Sequence, residues 1–364
     1  MSADLFTPLE LRGTEIPNRV MVSPMCQYSC EGRGGIPTDW HHTHLVSRAV
    51  GGAGLVMSEA TAVEPRGRIT PHDLGIWSDD HADALRDITS SIRAQGSVPG
   101  IQLAHAGRKA STTRPWEGGD PITGDDGWEP IAPSADPYPH EEGTVPTREM
   151  TTEDIADVID AFRAAAERAH DAGFRVAEIH SAHGYLLHEF LSPVTNGRDD
   201  EYGGDFAGRT RLLRDVTSAV REVWPDDRPL FVRISATDWL PDRESWTVED
   251  SIRLAGDLDA LGVDLIDVSG GGIHPDQRIP STGPGYQERY ARRINEESDA
   301  DIAVGAVGGI TTPEQADALI RNGRGDLAIV GREHLRDPYF AIHAAQRLGR
   351  LDDVEIPAQY HRAF

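Results

Sequence analysis

Lysine is almost missing from this chain: of 35 basic residues only Lys109 is a lysine, and arginine supplies the rest. Cysteine is scarce as well. Cys26 and Cys30 are the only two, so neither a disulfide framework nor a thiolate-held zinc site or iron–sulfur cluster can be assembled from them. No apolar run is long enough to span a bilayer, and Met1-Ser2-Ala3-Asp4 lacks the basic-then-apolar pattern of a leader. A cytoplasmic protein is expected. Internal repeats, low-complexity tracts, interdomain linkers and long runs of like charge are also absent.

Acid is what the chain has in excess. Sixty Asp and Glu against 35 basic residues give a net charge of -25, which repels nucleic acid and anionic membranes alike. The acids are spread over the whole length, as on a solvated surface and not a disordered tail. Such a surface stays soluble where salt screens its self-repulsion, so a salt-adapted, halophilic source is expected.

Short apolar runs alternate with amphipathic segments eight times. Arg19 to Val22 is followed by His44 to Val50, Leu55 to Ser58 by His81 to Ala94, and Val98 to Leu103 by Glu153 to Ala172. Val176 to Ile179 precedes Phe206 to Val223, Leu230 to Ile234 precedes Val248 to Leu261, and Leu265 to Val268 precedes Gln287 to Glu297. Ile302 to Ala306 with Pro313 to Asn322, and Leu327 to Val330 with Pro338 to Leu348, complete the series. Eight such pairs predict a single (β/α)8 barrel over 1–364, a size that roughly 250 residues plus insertions allow. No G-x-G-x-x-G follows the first run, which disfavours a doubly wound dinucleotide fold. Ala104 to Met150, rich in Gly, Pro, Asp and Trp, is predicted to be a loop insertion after the third strand.

Active sites of this fold collect at the carboxyl ends of the strands. There the chain places Ser23-Pro24-Met25-Cys26-Gln27-Tyr28, Glu59-Ala60-Thr61, Gln102 with His105 to Lys109, and His180-Ser181-Ala182-His183-Gly184-Tyr185. Two imidazoles can converge on one carbonyl or nitro oxygen while a phenol nearby delivers a proton. Arg233 lies within the fifth strand. Gly308-Gly309 after the seventh and Gly331-Arg332 after the eighth fit a phosphate cradle, because glycines admit close backbone approach and arginine adds a forked cation. Lys109, standing alone among arginines in the His105 to Lys109 motif, is a further candidate, since a compact ammonium and a planar guanidinium are not interchangeable.

These motifs, taken in order, resemble the old yellow enzyme family of FMN-dependent ene-reductases, specifically its thermophilic-like subgroup. The similarity runs from Leu5-Phe6-x-Pro8-Leu9 and Asn18-Arg19 through Ser23-Pro24-Met25-Cys26-x-Tyr28 and the segment His180 to Gly204 to Gln359-Tyr360. The resemblance implies that Ser23, Pro24, Met25, Cys26, Ala60, Gln102 and Arg233 surround a tightly bound FMN ring and that Gly308, Gly309, Gly331 and Arg332 hold its phosphate. It implies NADPH, in preference to NADH, as hydride donor and small activated alkenes as substrates. His180, His183 and Tyr28 would line the substrate pocket, flavin N5 would deliver hydride, and Tyr185 would protonate the neighbouring carbon. Cys26 stands where another branch carries threonine and is expected to tune the flavin potential; Cys30 has no assigned role. Arg362 matches the subgroup's arginine finger, which implies a homodimer or homotetramer in which the tail from about residue 350 reaches a neighbouring subunit's site.

The chain departs from the family after Tyr202-Gly203-Gly204, where Asp205-Phe206-Ala207-Gly208-Arg209 replaces the usual Ser and Asn-Arg, and in a longer loop carrying Trp116 and Trp128. The competing readings are a metal-dependent barrel hydrolase built on His180, His183 and His188 or on His41, His42 and His44, for which no matching carboxylates stand at the other strand ends, and a noncatalytic flavin-binding protein, which leaves the two histidines and Tyr185 without a purpose.

Overall fold

A computed structural model describes residues 3–122 and 124–364. The chain opens with an antiparallel pair, β1 (Leu9–Leu11) and β2 (Thr14–Ile16), then enters the barrel. Its strands are β3 (Val20–Val22), β4 (Leu55–Ala62), β5 (Val98–Ala104), β8 (Val176–Ser181), β9 (Leu230–Ser235), β10 (Leu265–Ser269), β11 (Ala303–Val307) and β12 (Leu327–Val330). All pair in parallel, and β12 pairs back with β3, closing the ring. The short parallel pair β6 (Ile131–Ala132) and β7 (Arg148–Glu149) lies in the Ala104 to Met150 insertion.

Outside the ring lie α1 (Asp39–Val50), α2 (Asp79–Arg93), α3 (Thr152–Asp171), α4 (Leu186–Leu191), α5 (Phe206–Val223), α6 (Val248–Ala260), α7 (Glu288–Glu297), α8 (Pro313–Arg321), α9 (Arg332–Arg336) and α10 (Phe340–Arg347). Their starts are written in the sequence. Thr151 and Thr247 cap α3 and α6 and receive a reciprocal contact from Asp154 and Asp250, Asp205 caps α5 by accepting from Gly208 N–H, and Thr312-Pro313 opens α8. The departure from the family pattern at Asp205 thus still caps a helix. None of the described helices is long and apolar enough to cross a membrane.

Alternation along each strand splits the apolar residues into two cores. Residues such as Ala177, Ile179, Val232 and Val268 face the helices. The opposite set, including Met21, Met57, Val176, Phe231, Leu265 and Ile329, fills the lower barrel, where Leu9 and Ile16 of the first hairpin join it. One alternate position higher the interior turns ionic, with Gln102, Glu178, Arg233 and Asp267 all buried. Higher again, at the carboxyl mouth, stand His180, Ser235 and Ser269.

The second strand extends beyond Ser58 to Ala62, with a register shift between Met57 and Ala60, so Glu59, Ala60 and Thr61 belong to the strand and do not follow it. The bulge breaks the two-residue period that would have revealed them. The first helix likewise begins at Asp39 and takes in His41, His42 and His44.

Candidate active site

The two imidazoles meet at the top of β8. His183 Nδ1 lies 3.4 Å from His180 Nε2, and the rings are 5.1 Å apart, centroid to centroid. Tyr185 stands edge-on to His180 at 5.2 Å. Burial, reinforced by Arg233, holds both imidazoles well below their ordinary pKa, so each is neutral and has a single N–H to offer. His183 Nε2 is 2.7 Å from Ser269 Oγ. With the serine hydroxyl donating, the proton of His183 sits on Nδ1, beside His180 Nε2. Burial raises the Tyr185 phenol well above its ordinary value, so it is a protonated donor.

The turn that carries His183 is pinned from several sides. His183 has φ +61°, a left-handed conformation that non-glycine residues seldom hold without support. Its N–H donates to Ser235 Oγ at 2.9 Å, and Ser235 donates on to Gly271 O. Gly184 N–H donates to His188 Nδ1, and His188 Nε2 faces Asp238 Oδ1 at 2.9 Å. Asp238 also accepts from Ser192 Oγ and Trp246 N–H. A Cβ on Gly184 would stand 2.2 Å from Gly272 O, and one on Gly272 would stand 2.5 Å from His183 Cα. Only two glycines let these backbones touch.

Below the histidines, Gln102 Nε2 donates to Glu178 Oε1 at 2.7 Å. Arg233 Nε lies 3.1 Å from Asp267 Oδ2 but out of line for a hydrogen bond, and Nη1 reaches Ser23 Oγ at 3.5 Å. Burial raises both carboxyls, and Asp267 pushes Glu178 up further; Glu178 keeps its proton while Asp267 carries the charge beside Arg233. Arg233 Nε and His180 Nδ1 are buried polar atoms without a hydrogen-bond partner among the described residues.

Arg233 also lines a cleft of about 360 Å³ with Ser269, Gln287, Gly308, Gly309, Gly331, Arg332 and Arg336, in the size range of cofactor sites, roughly 300–1,000 Å³. Gly308 and Gly309 have φ +128° and +66°. Arg332 has no ion-pair partner among the described residues. Arg233, whose Nε makes no hydrogen bond among the described residues, at the inner end and a glycine-lined, arginine-bearing outer end fit an elongated ligand with a polar ring and a phosphate.

The Ser23 to Tyr28 segment is held by Glu59, whose Oε2 accepts from Gln27 N–H at 2.8 Å and whose Oε1 is 3.3 Å from buried His41. Burial raises the Cys26 thiol, which contacts the Ala60 backbone and the Tyr28 hydroxyl. Tyr28 in turn meets Trp116 edge-on at 5.9 Å. Lys109 Nζ donates to His183 O at 2.8 Å and Gly272 O at 2.7 Å, and burial lowers its pKa to about 8.

Most of the sequence candidates therefore share one mouth, whereas Arg362 does not. It is exposed in a tail whose Tyr360 hydroxyl is 3.4 Å from that of Tyr339 at the start of α10. Among the described residues no group of three His, Cys, Asp or Glu side chains is arranged to hold a metal ion; His188 is committed to Asp238 and Gly184, and His41 to Glu59. Ser269, Asp267, Ser235, Asp238 and Arg336 escaped the sequence reading. Ser269, at a strand end before Gly270-Gly271-Gly272, carried the signal that could have found it.

The sequence of the NADH:flavin oxidoreductase / NADH oxidase family matches residues 4–350. An NADPH dehydrogenase of Geobacillus sp. (strain WCH70) is 48% identical over 365 residues, covering 100% of this chain and 99% of that protein. Among solved structures, an old yellow enzyme homologue from Zymomonas mobilis superposes with a TM-score of 0.78 at 27% identity, over 95% of this chain and 93% of that one. Morphinone reductase in complex with tetrahydroNAD superposes with a TM-score of 0.74 at 28% identity, over 96% and 91%. With a closed parallel barrel, a buried histidine pair at its mouth and near full-length similarity to these enzymes, the chain belongs to the NADH:flavin oxidoreductase / NADH oxidase family and is a flavin-type oxidoreductase of the old yellow enzyme kind.

Proposed function

We propose that this chain is an FMN-dependent ene-reductase that takes reducing equivalents from NADPH and reduces carbon–carbon double bonds conjugated to a carbonyl or nitro group. The observation that carries the reading is the approach of His180 Nε2 and His183 Nδ1 to 3.4 Å, with the Tyr185 ring 5.2 Å from His180 and Ser269, the partner of His183, lining the cleft that runs from Arg233 to Arg332. Ser23, Pro24, Met25, Cys26, Ala60, Gln102 and Arg233 would hold the FMN ring, and Gly308, Gly309, Gly331 and Arg332 its phosphate. Because Gln102 Nε2 is spent on Glu178, its Oε1 remains as an acceptor for a ring N–H, while Arg233 compensates negative charge at the pyrimidine edge. Bound there, FMN supplies a two-electron hydride carrier that NADPH can recharge.

The protein's own part is polarisation and proton delivery. His180 and His183 donate to the substrate oxygen and draw electron density from the far end of the conjugated bond, which opens that carbon to hydride. Tyr185 donates the proton to the neighbouring carbon. Tyr28 lines the pocket. The NADPH preference is supported by the name of the Geobacillus relative. Two free thiols suit a reducing, cytoplasmic compartment, and the net charge of -25 disfavours nucleic acid or anionic membrane as partner. The exposed Arg362 supports a homodimer or homotetramer whose sites are completed by a neighbour's tail.

The test is an anaerobic visible spectrum of the holoprotein in high salt, before and after NADPH and then with cyclohex-2-enone. A flavin band that bleaches and returns with the enone is expected. Protein that takes up no FMN, or a bleached band that the enone leaves unchanged, would overturn the reading.

A further inference from the structure

Two backbone carbonyls are forced together above the histidine pair. The glycine contacts at Gly184 and Gly272 press the His183 turn onto the loop after β10, and in doing so they aim His183 O and Gly272 O at one point. Two carbonyl oxygens facing one another repel, and both belong to residues in the left-handed region, at φ +61° and +95°. Nothing in the local backbone preference of a histidine holds it there. The ammonium of Lys109 sits between the two oxygens, at 2.8 Å and 2.7 Å. Its remaining side is covered by aromatic faces, the Tyr138 ring at 4.7 Å and the Tyr185 ring at 5.4 Å.

We propose that Lys109 is a positioning residue: an ammonium staple that clamps the His183 and Gly272 carbonyls, fixes the His183 ring against His180, and seats the Tyr185 ring. The role rests on the reading of His183 and Tyr185 as substrate-handling residues, but the staple itself is a statement about backbone geometry. A tetrahedral donor group suits this place, because two converging carbonyls and two rings surround a point and not a plane. A guanidinium in the same space presents its N–H groups in a flat fork and cannot meet both oxygens while lying against both rings. This gives a physical reason for the one lysine in a chain that otherwise uses arginine. Neighbouring arginine is already employed otherwise: Arg108 donates to Asp136 and Ile273 O.

The experiment compares wild-type holoenzyme with Lys109→Met, Lys109→Arg and Lys109→Ala. Hydrogen exchange of the backbone from Gly184 to Glu189 is the first readout, since it needs no turnover. Exchange there should rise about tenfold or more in all three variants, with the rest of the barrel unchanged. With cyclohex-2-enone, kcat should fall by about tenfold or more and KM rise, while FMN content stays at the wild-type level. Ethylammonium, which restores N–H donors to the space vacated in Lys109→Ala, should recover part of both readouts; tetramethylammonium, a cation without N–H, should recover neither. Wild-type exchange in the Gly184 to Glu189 segment of Lys109→Met, or a Lys109→Arg enzyme indistinguishable from wild type, would overturn the staple. A wild-type holoenzyme that the enone fails to oxidise would overturn the functional reading instead and leave the exchange result to decide the staple by itself.

Discussion

Asp238 anchors the turn that carries His183 from behind, and its removal has a size that can be worked out. Its carboxylate accepts from His188 Nε2 at 2.9 Å, Ser192 Oγ at 2.7 Å and Trp246 N–H at 2.8 Å. Asp238, His188 and Ser192 are each fully buried. Asp238→Ala leaves three donors with neither partner nor water. At about 1–3 kcal/mol for each stranded donor, and allowing for partial relaxation, the loss is about 3–6 kcal/mol. The melting entropy of a chain of 364 residues, at about 2.1 cal/mol/K per residue, is about 0.76 kcal/mol/K, so Tm falls by about 4–8 °C. Asp238→Asn keeps the shape and one oxygen but turns an NH2 toward one donor, so its fall should be about half as large. Because Gly184 N–H bonds the other side of the same imidazole, both variants should also raise the KM for an enone. Calorimetry of the FMN-loaded proteins at equal concentration is the assay. An Asp238→Ala protein melting within about 1 °C of wild type would refute the argument.

Cys26→Thr replaces a weak thiol donor with a hydroxyl beside Ala60 and Tyr28, and a shifted flavin midpoint potential is expected by spectroelectrochemistry; an unaltered potential in a folded variant would remove Cys26 from that role. Deleting residues 361–364, or making Arg362→Ala, should lower kcat/KM through the neighbouring subunit, with mixed oligomers of Arg362→Ala and Tyr185→Phe chains recovering activity. Full activity of the truncated enzyme would contradict a shared site. For a surface at net charge -25, melting temperature should climb as salt shortens the Debye length from about 10 Å at 0.1 M to about 3 Å at 1 M; a melting curve unchanged in dilute buffer would reject salt adaptation.

The barrel was legible because each strand is a short apolar run and α3, α5, α6 and α8 begin at side-chain caps. The catalytic candidates were legible because strand ends are where this fold puts chemistry, and His180, His183 and Tyr185 fall within six consecutive residues. What the sequence concealed depends on residues far apart in the chain. Glu178 and Asp267 read as polar interruptions of apolar runs, and only closure of the sheet reveals that they share one tier with Gln102 and Arg233. Ser269 and Asp238 gain meaning from His183 and His188, which lie on another strand's loop. The short helix α4 directly follows the site motif and lay hidden within the segment His180 to Gly204, and the extension of β4 was hidden by its bulge.

The hairpin under the barrel gives the ionic layer an unusual confinement. Leu9 and Ile16 join the apolar residues that close the lower end, so among the described residues the charged tier rests on apolar packing below and is reached at Arg233 from the cleft that runs out to Gly308 and Arg332. A ligand there would cover the buried Glu178, Asp267 and Arg233 and shield their mutual charges from bulk water.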